Sequence, residues 1–493
     1  MLVKIVLVII FLAIMIGVGI YSKKMSNSVD GFVLGGRSVG PWLTAFAYGT
    51  SYFSAVVFVG YAGQFGWKYG LSSTWIGVGN AIIGSTLAWM MLGRRTRQMT
   101  QHLDSKTMPD FFGQRFQSKS LKIAAAIIVF IFMIPYTASV YTGISRLFEM
   151  GFNIPYTYCV VAMALFTAIY VVMGGYLATA MNDFIQGMIM LVGIVLVILA
   201  VLNQKGGLNA ANIQMMMLTD DNGNQGTLAT LLGPDPLNLL GVVILTSLGT
   251  WGLPQMVGKF YSIKDEKSIE RGTIISTIFA VIISCGCYFL GGFGRLFDNP
   301  TLHNADKVMY DAIVPFMLSG LPDILIGMVI LLVLSASMST LASLVLTSSS
   351  TMTLDLIKGN IIRQMSEKRQ LQIMRSLILV FIAISVVIAL NPPTFIAQLM
   401  GISWGALAGA FLAPFIYGLY FKSITKAAVW ASFIVGVGFT VANMFCHFIQ
   451  SPINAGAATM IIGLIIVPIV SLVTKKMNRN DVDAMFTCYE DKK

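Results

Sequence analysis

Uncharged apolar stretches of about 18 residues or more recur along the whole length of the chain, and each is long enough for a helix to cross roughly 30 Å of hydrocarbon. With 56% of residues hydrophobic, 11% charged and a mean hydropathy of +0.79, the chain has more apolar surface than one soluble core can bury. Lipid must be the solvent. The expected class is an all-α polytopic membrane protein, because helices satisfy their own backbone polar groups where no water is present.

Hydropathy predicts thirteen spans, at about 2–21, 41–62, 70–93, 121–147, 155–173, 178–201, 236–258, 272–294, 322–356, 376–391, 394–420, 427–449 and 456–474. An odd count puts the termini on opposite sides. One orientation assigns loops 22–40, 94–122, 259–271, 357–375 and 421–426, together with the tail, to the cytoplasm. These segments carry 3, 7, 4, 5, 2 and 5 Lys and Arg, 26 of the 32 in the chain. Lys4, Lys68, Arg146, Lys205, Arg295 and Lys307 fall on the other side, where the 202–235 loop also carries Asp220, Asp221 and Asp235. The positive-inside rule therefore places the N-terminus outside and the C-terminus inside. Leu2 to Tyr21 lacks a sizeable basic n-region and a small-residue cleavage site, and Lys23-Lys24 follows it, so it is expected to be a retained helix.

The net charge of +11 does not imply a nucleic-acid partner, because the basic residues are spread over the loops between apolar spans. Cys159, Cys285, Cys287, Cys446 and Cys488 are odd in number and four lie in or beside apolar segments, which implies no disulfide framework. A membrane enzyme would need clustered titratable groups near an interface, whereas His102, His303 and His447 stand in separate segments. No loop is long enough for a soluble domain, so function is expected within and between the helices.

Two spans contain concentrations of small and polar residues that mark either close helix packing or an unwound segment lining a cavity. The second span runs Ala47-Tyr48-Gly49-Thr50-Ser51-Tyr52-Phe53-Ser54-Ala55, and the seventh runs Thr246-Ser247-Leu248-Gly249-Thr250-Trp251-Gly252-Leu253-Pro254-Gln255. They lie five spans apart. Interruptions at corresponding places in two halves point to a midplane binding site in an inverted-repeat transporter.

The ninth span is rich in hydroxyls, at Ser335, Ser337, Ser339, Thr340 and Ser343 and again from Thr347 to Ser350. Ser339 and Ser343 share a helix face, with the Ala336 carbonyl close by. Such hard, uncharged oxygens suit a monovalent cation that must bind and leave again; the competing interpretation is serines bonded back to their own helix. Asp183, in the sixth span, is an intramembrane carboxylate and so a functional candidate, with snorkelling to the interface as the alternative.

The stretches Leu34-Gly35-Gly36-Arg37-Ser38-Val39-Gly40-Pro41, Pro109-Asp110-Phe111-Phe112 with Arg115-Phe116, Gly174-Gly175-Tyr176-Leu177-Ala178 with Asp183 and Gln186, and Met338-Ser339-Thr340-Leu341 resemble the sodium/solute symporter family over roughly residues 1 to 475. Among its branches, bacterial sodium/proline symporters align most readily. The resemblance implies the leucine-transporter fold, two inverted five-helix repeats (41–201 and 236–420), with an extra helix at 1–21, two more within 427–474 and a cytoplasmic tail at 476–493. It implies a multi-pass protein of the bacterial inner (plasma) membrane that moves a small organic solute with sodium by alternating access. Carried over by position, the main sodium site uses carbonyls of Thr50, Phe53 and Ala336 with hydroxyls of Ser339 and Thr340. A second sodium site found in some members would use Asp183, Ser339 and Ser343, although Ala342 stands where those members have another serine. The solute would lie against Ser54, Tyr136 and Trp251, with Gln255 and Gln64 as further contacts. Arg37 matches a family arginine at the cytoplasmic mouth of the second span.

Proline carriers of the family have an acidic residue two before the serine at Ser54, and this chain has Tyr52 there. The seventh span also has a shorter segment before its Pro-Gln pair. The expected solute is therefore an amino acid such as proline or a small carboxylate, with sugars or other solutes as the alternative. Proton coupling through Asp183 is the rival coupling scheme.

Overall fold

The computed structural model describes residues 2–22, 28–304 and 307–490, so Lys23, Lys24, Lys492 and Lys493 lie outside the described residues. Within them the chain is mostly helical, with one short antiparallel pairing of His303–Asn304 with Lys307–Val308 and isolated bridges such as Val39 with Ile263. Among the described residues ten helices are long and apolar enough to cross a membrane, or eleven if Pro236–Gly252 and Pro254–Ser262, bent by 45°, count as one span. Hydropathy predicted thirteen. The difference lies at interruptions: Pro41–Tyr52 stops after 12 residues, Tyr156–Val172 is short, and the Val56–His102 run turns at Gly70 (φ 59°, ψ −140°). All five cysteines are free thiols.

Helix starts follow from local chemistry. Thr107, Ser118, Asp235, Asp265, Ser366, Thr425 and Ser451 each accept a backbone N–H from two or three residues into the helix that they open. Pro236, Pro254 and Pro452 occupy first-turn positions, where the missing N–H is not needed. The division predicted between 173 and 178 is sharper than hydropathy could locate. At Gly175 the backbone takes φ 59° and ψ −163°, and a Cβ there would meet Phe32, so a glycine is required.

The helices form an inner and an outer group. Asp323–Ile357 and Ile396–Tyr420 bury 83% and 89% of their apolar windows, while Leu2–Ser22, Glu367–Leu390 and Lys426–Cys446 bury 22%, 33% and 33%. On the outer group the apolar side chains face outward; Leu472 and Val473 are each 80% exposed. Patches of that kind would aggregate in water, whereas acyl chains solvate them.

The basic end of the bundle is closed by short elements. Arg115, fully buried at the end of the Met108–Arg115 helix, donates to the carbonyls of Gly418 (2.9 Å) and Phe421 (3.0 Å), satisfying the open C-terminus of Ile396–Tyr420. The Arg479–Phe486 helix packs beneath, joined by Lys422 to Asp483 at 2.6 Å. One loop assignment needs correction. Lys259, counted by hydropathy in a cytoplasmic loop, lies within the Pro254–Ser262 helix and is 3% exposed, because that helix continues a full turn beyond the predicted end.

Candidate functional site

The two interrupted helices meet side by side. Pro41–Tyr52 ends where Phe53 turns extended (φ −109°, ψ 93°), and Ser54 accepts from the N–H of Val56, opening the next helical stretch. Pro236–Leu248 tightens at Gly249–Gly252, and Leu253 (φ −88°, ψ 120°) breaks the ladder before Pro254. The Tyr52 hydroxyl donates to the Thr246 carbonyl at 2.6 Å, tying one interruption to the other. Thr250 Oγ1 and Trp251 Nε1 donate to the Gly84 (3.2 Å) and Ile83 (3.0 Å) carbonyls of a neighbouring helix.

The hydroxyl-rich helix Asp323–Thr351 faces the first interruption. Ser339 Oγ donates to the carbonyls of Thr50 (3.0 Å) and Ala336 (3.0 Å), and Thr340 Oγ1 lies 3.2 Å from Thr50 O, 3.4 Å from Ser51 O and 3.1 Å from Ala336 O. The structure thus brings four of the five residues expected at the main sodium site into one cluster, with the fifth, Phe53, at the adjacent helix end. The hydroxyls do bond back to their own helix, as the competing interpretation held. The same oxygens also reach across to the Thr50 carbonyl, 289 residues earlier in the chain. Two hydroxyls and two carbonyls, all buried, form a neutral set of hard donors whose chemistry fits a sodium ion. Ser337 Oγ holds the N–H of Ala55 (3.3 Å), bracing the start of the next helical stretch.

The second expected site is arranged differently. Asp183 is wholly buried and does not reach an interface, and Lys259 Nζ lies 3.9 Å from its Oδ2. Lys259 donates to Ser343 Oγ at 2.9 Å, and Ser343 Oγ is 2.9 Å from Ser51 Oγ. Lys259, which the sequence did not single out, thus lies among the residues expected at the second position. Its signal was the spacing Gln255 to Lys259, which puts both on one face of a helix beginning at Pro254.

The expected solute contacts divide into two groups. Ser54, Tyr136 and Trp251 are buried, and Tyr136 sets its ring edge to face against Trp404 at 5.9 Å, with Tyr52 6.3 Å away on the same indole. Trp404 was not singled out in the sequence, since a tryptophan inside an apolar span carries no local mark of the aromatic neighbours that it meets. Gln255 lines a separate cavity of about 50 Å³ with Tyr176, Lys259 and Ser343. Gln64 lines a polar one of about 540 Å³ with Lys68, Asp221 and Asn238 at the opposite end. Both glutamines have buried amide atoms with no hydrogen-bond partner among the described residues. Arg37, at the basic end, donates to the carbonyls of Ser105 (2.7 Å) and Thr100 (3.4 Å), with Asp104 at 3.9 Å, and desolvation lowers its pKa.

Known proteins resemble this chain in sequence and in fold. The chain is 28% identical to the osmoregulated proline transporter OpuE of Bacillus subtilis (strain 168), over 97% of this chain and 96% of that one. It is 29% identical to the sodium/proline symporter of Staphylococcus aureus (strain JH9), over 96% and 92%. Its fold matches that of a sodium-coupled sialic acid symporter solved in a substrate-bound outward-open state, with a TM-score of 0.80 at 17% identity over 97% and 99% of the two chains. A nucleobase-cation-symport-1 family transporter, solved closed around bromovinylhydantoin, matches with a TM-score of 0.56 at 11% identity over 93% and 98%. The model of the sodium:solute symporter family matches residues 32–436, and on that match the chain belongs to this family and functions in sodium-coupled solute symport.

Proposed function

We propose that the protein takes up a small organic solute, an amino acid such as proline or a small carboxylate, driven by sodium bound between the first interruption and the hydroxyl-rich helix. The observation that carries this is the convergence of the Ser339 and Thr340 hydroxyls on the Thr50 and Ala336 carbonyls. In the proposed site the carbonyl of Phe53 completes the set, and Ser54, Tyr136, Trp251 and Gln255 contact the solute. The aromatic walls cover its apolar part, and the exposed backbone of the two interruptions orients its polar groups.

Sodium fixes the Pro41–Tyr52 helix to Asp323–Thr351 and so pre-forms the solute pocket next to it. Ion and solute then raise each other's affinity by one factor, about 1–3 kcal/mol in such couplings. The membrane potential adds about 2.3 kcal/mol per charge per 100 mV. In the proposed topology the chain crosses the bacterial plasma membrane thirteen times, N-terminus outside, with 41–201 and 236–420 as inverted repeats of the leucine-transporter fold. The count follows if the Pro41–Tyr52 and Tyr156–Val172 segments and the bent Pro236–Ser262 pair each belong to a span. The Lys and Arg distribution supports the orientation.

The test is uptake of labelled proline, other amino acids, monocarboxylates, sugars, sialic acid and pantothenate into proteoliposomes, with an inward sodium gradient or with choline in its place. Sodium-dependent accumulation of one class, lost in Ser339→Ala/Thr340→Ala, is the expected result. Accumulation indifferent to sodium and to both hydroxyls would refute the site and favour proton coupling through Asp183.

A further inference from the structure

The side chain of Lys259 lies among the residues expected at the second cation position. Lys259 Nζ is bonded to Ser343 Oγ at 2.9 Å, lies 3.9 Å from Asp183 Oδ2 and sits 5.3 Å from the centroid of the Tyr176 ring. A hydroxyl, a carboxylate and an aromatic face are what a monovalent cation needs on leaving water. Exposures of 3% for Lys259 and 0% for Asp183 exclude bulk solvent from the pair. No hydrogen-bond donor reaches either Asp183 oxygen among the described residues, so Lys259 supplies the compensating charge through space.

We propose that the Lys259 ammonium is the resident cation of this second position, so that the chain binds one sodium ion where the Asp183, Ser339 and Ser343 pattern alone would provide for two. Three observations agree. Ala342, beside Ser343 and three residues after Ser339, offers no side-chain oxygen to a further ion. An incoming sodium would add a second positive charge beside a buried ammonium with one carboxylate to share, and like charges brought together in a low dielectric repel strongly. Lys259 is also connected to the main cluster, because Ser343 bonds Ser51, the residue after Thr50, whose carbonyl receives Ser339 and Thr340. The tethered cation therefore does locally what a second ion would do, linking the first interruption to the hydroxyl-rich helix. Because it never dissociates, it contributes no ion to the transport cycle.

The inference rests on the sodium-coupled assignment of the main cluster, and binding stoichiometry tests the two separately. Full-length protein in nanodiscs is titrated with radiolabelled sodium at constant ionic strength in choline chloride. Wild type is expected to bind one sodium per chain, lost in Ser339→Ala/Thr340→Ala. Lys259→Ala vacates the position and is expected to bind a second sodium, which Asp183→Asn in the same chain removes again. Lys259→Arg keeps the charge and is expected to stay at one. A wild-type count of two would overturn the proposal while leaving sodium coupling intact, and so would a Lys259→Ala count that stays at one. No sodium bound by wild type would refute both. Should Lys259→Ala not fold, the wild-type and Lys259→Arg counts still decide, since a second ion in either contradicts a lysine-filled position.

Discussion

Removing Lys122 leaves two carboxylates facing each other at the basic end of the bundle. Lys122 Nζ lies 2.7 Å from Asp110 Oδ1 and 3.2 Å from Asp355 Oδ1, with side-chain exposures of 25% for the lysine, 12% for Asp110 and 1% for Asp355. Thr107 donates its hydroxyl to Asp355, and the N–H of Lys106 donates to Asp110 at 3.2 Å. In Lys122→Met the stem still packs while the charge is gone. Breaking a buried ion pair from one side costs about 3–5 kcal/mol. Partial solvent access to Lys122 and the surviving Thr107 bond put this case near the lower end, about 3 kcal/mol. Lys122→Met/Asp355→Asn also removes the more deeply buried of the two stranded carboxylates and should recover about 2 kcal/mol of that loss, since Asp110 then faces no second charge. The assay is reversible denaturant unfolding of wild type, both single variants and the double variant in mixed micelles, read as a double-mutant cycle. A Lys122→Met cost below about 1 kcal/mol, or strictly additive effects of the two changes, would refute a coupled triad.

Two further outcomes follow from the packing and the charges. The half-buried Asp311 carboxyl, which accepts the N–H of Ile396 at 3.2 Å, is pushed up to about 6 by desolvation. The native state then binds more protons than the unfolded chain between about pH 4 and 6, so stability falls as pH rises through that window and is flat above it. Asp311→Asn keeps an acceptor for Ile396 and should flatten the profile, as melting temperatures across pH 4 to 8 will reveal; an unchanged slope counts against the buried carboxyl. At Gly66 a Cβ would sit 1.9 Å from the Gly291 carbonyl oxygen, part of another helix's backbone. Gly66→Ala must therefore push two helices apart, a cost of about 1–3 kcal/mol or more, visible as lost monodispersity in size-exclusion chromatography. A wild-type profile would mean that the helices are not in such close contact.

The sequence alone determined the solvent, the helical class and the places where helices fail. Desolvating a 20-residue segment is a property of that segment, so hydropathy found most crossings without knowledge of their neighbours. Backbone breaks are local too, and the small residues around Phe53 and Leu253, with Pro254 at the second, marked both. The hydroxyl run from Ser335 to Ser350 gave the chemistry of the cluster, and the family resemblance supplied the opposing carbonyl at Thr50. What the sequence could not decide was which distant groups meet. Lys259 looked like a loop cation until the Pro254–Ser262 helix carried it inward to Asp183, 76 positions earlier in the chain, and Ser343. The union of Tyr52 with Thr246 and of Gly66 with Gly291 is likewise invisible to any window of residues. Burying a charge or a polar atom is tolerable only beside its partner, and three-dimensional packing, not local periodicity, chooses that partner.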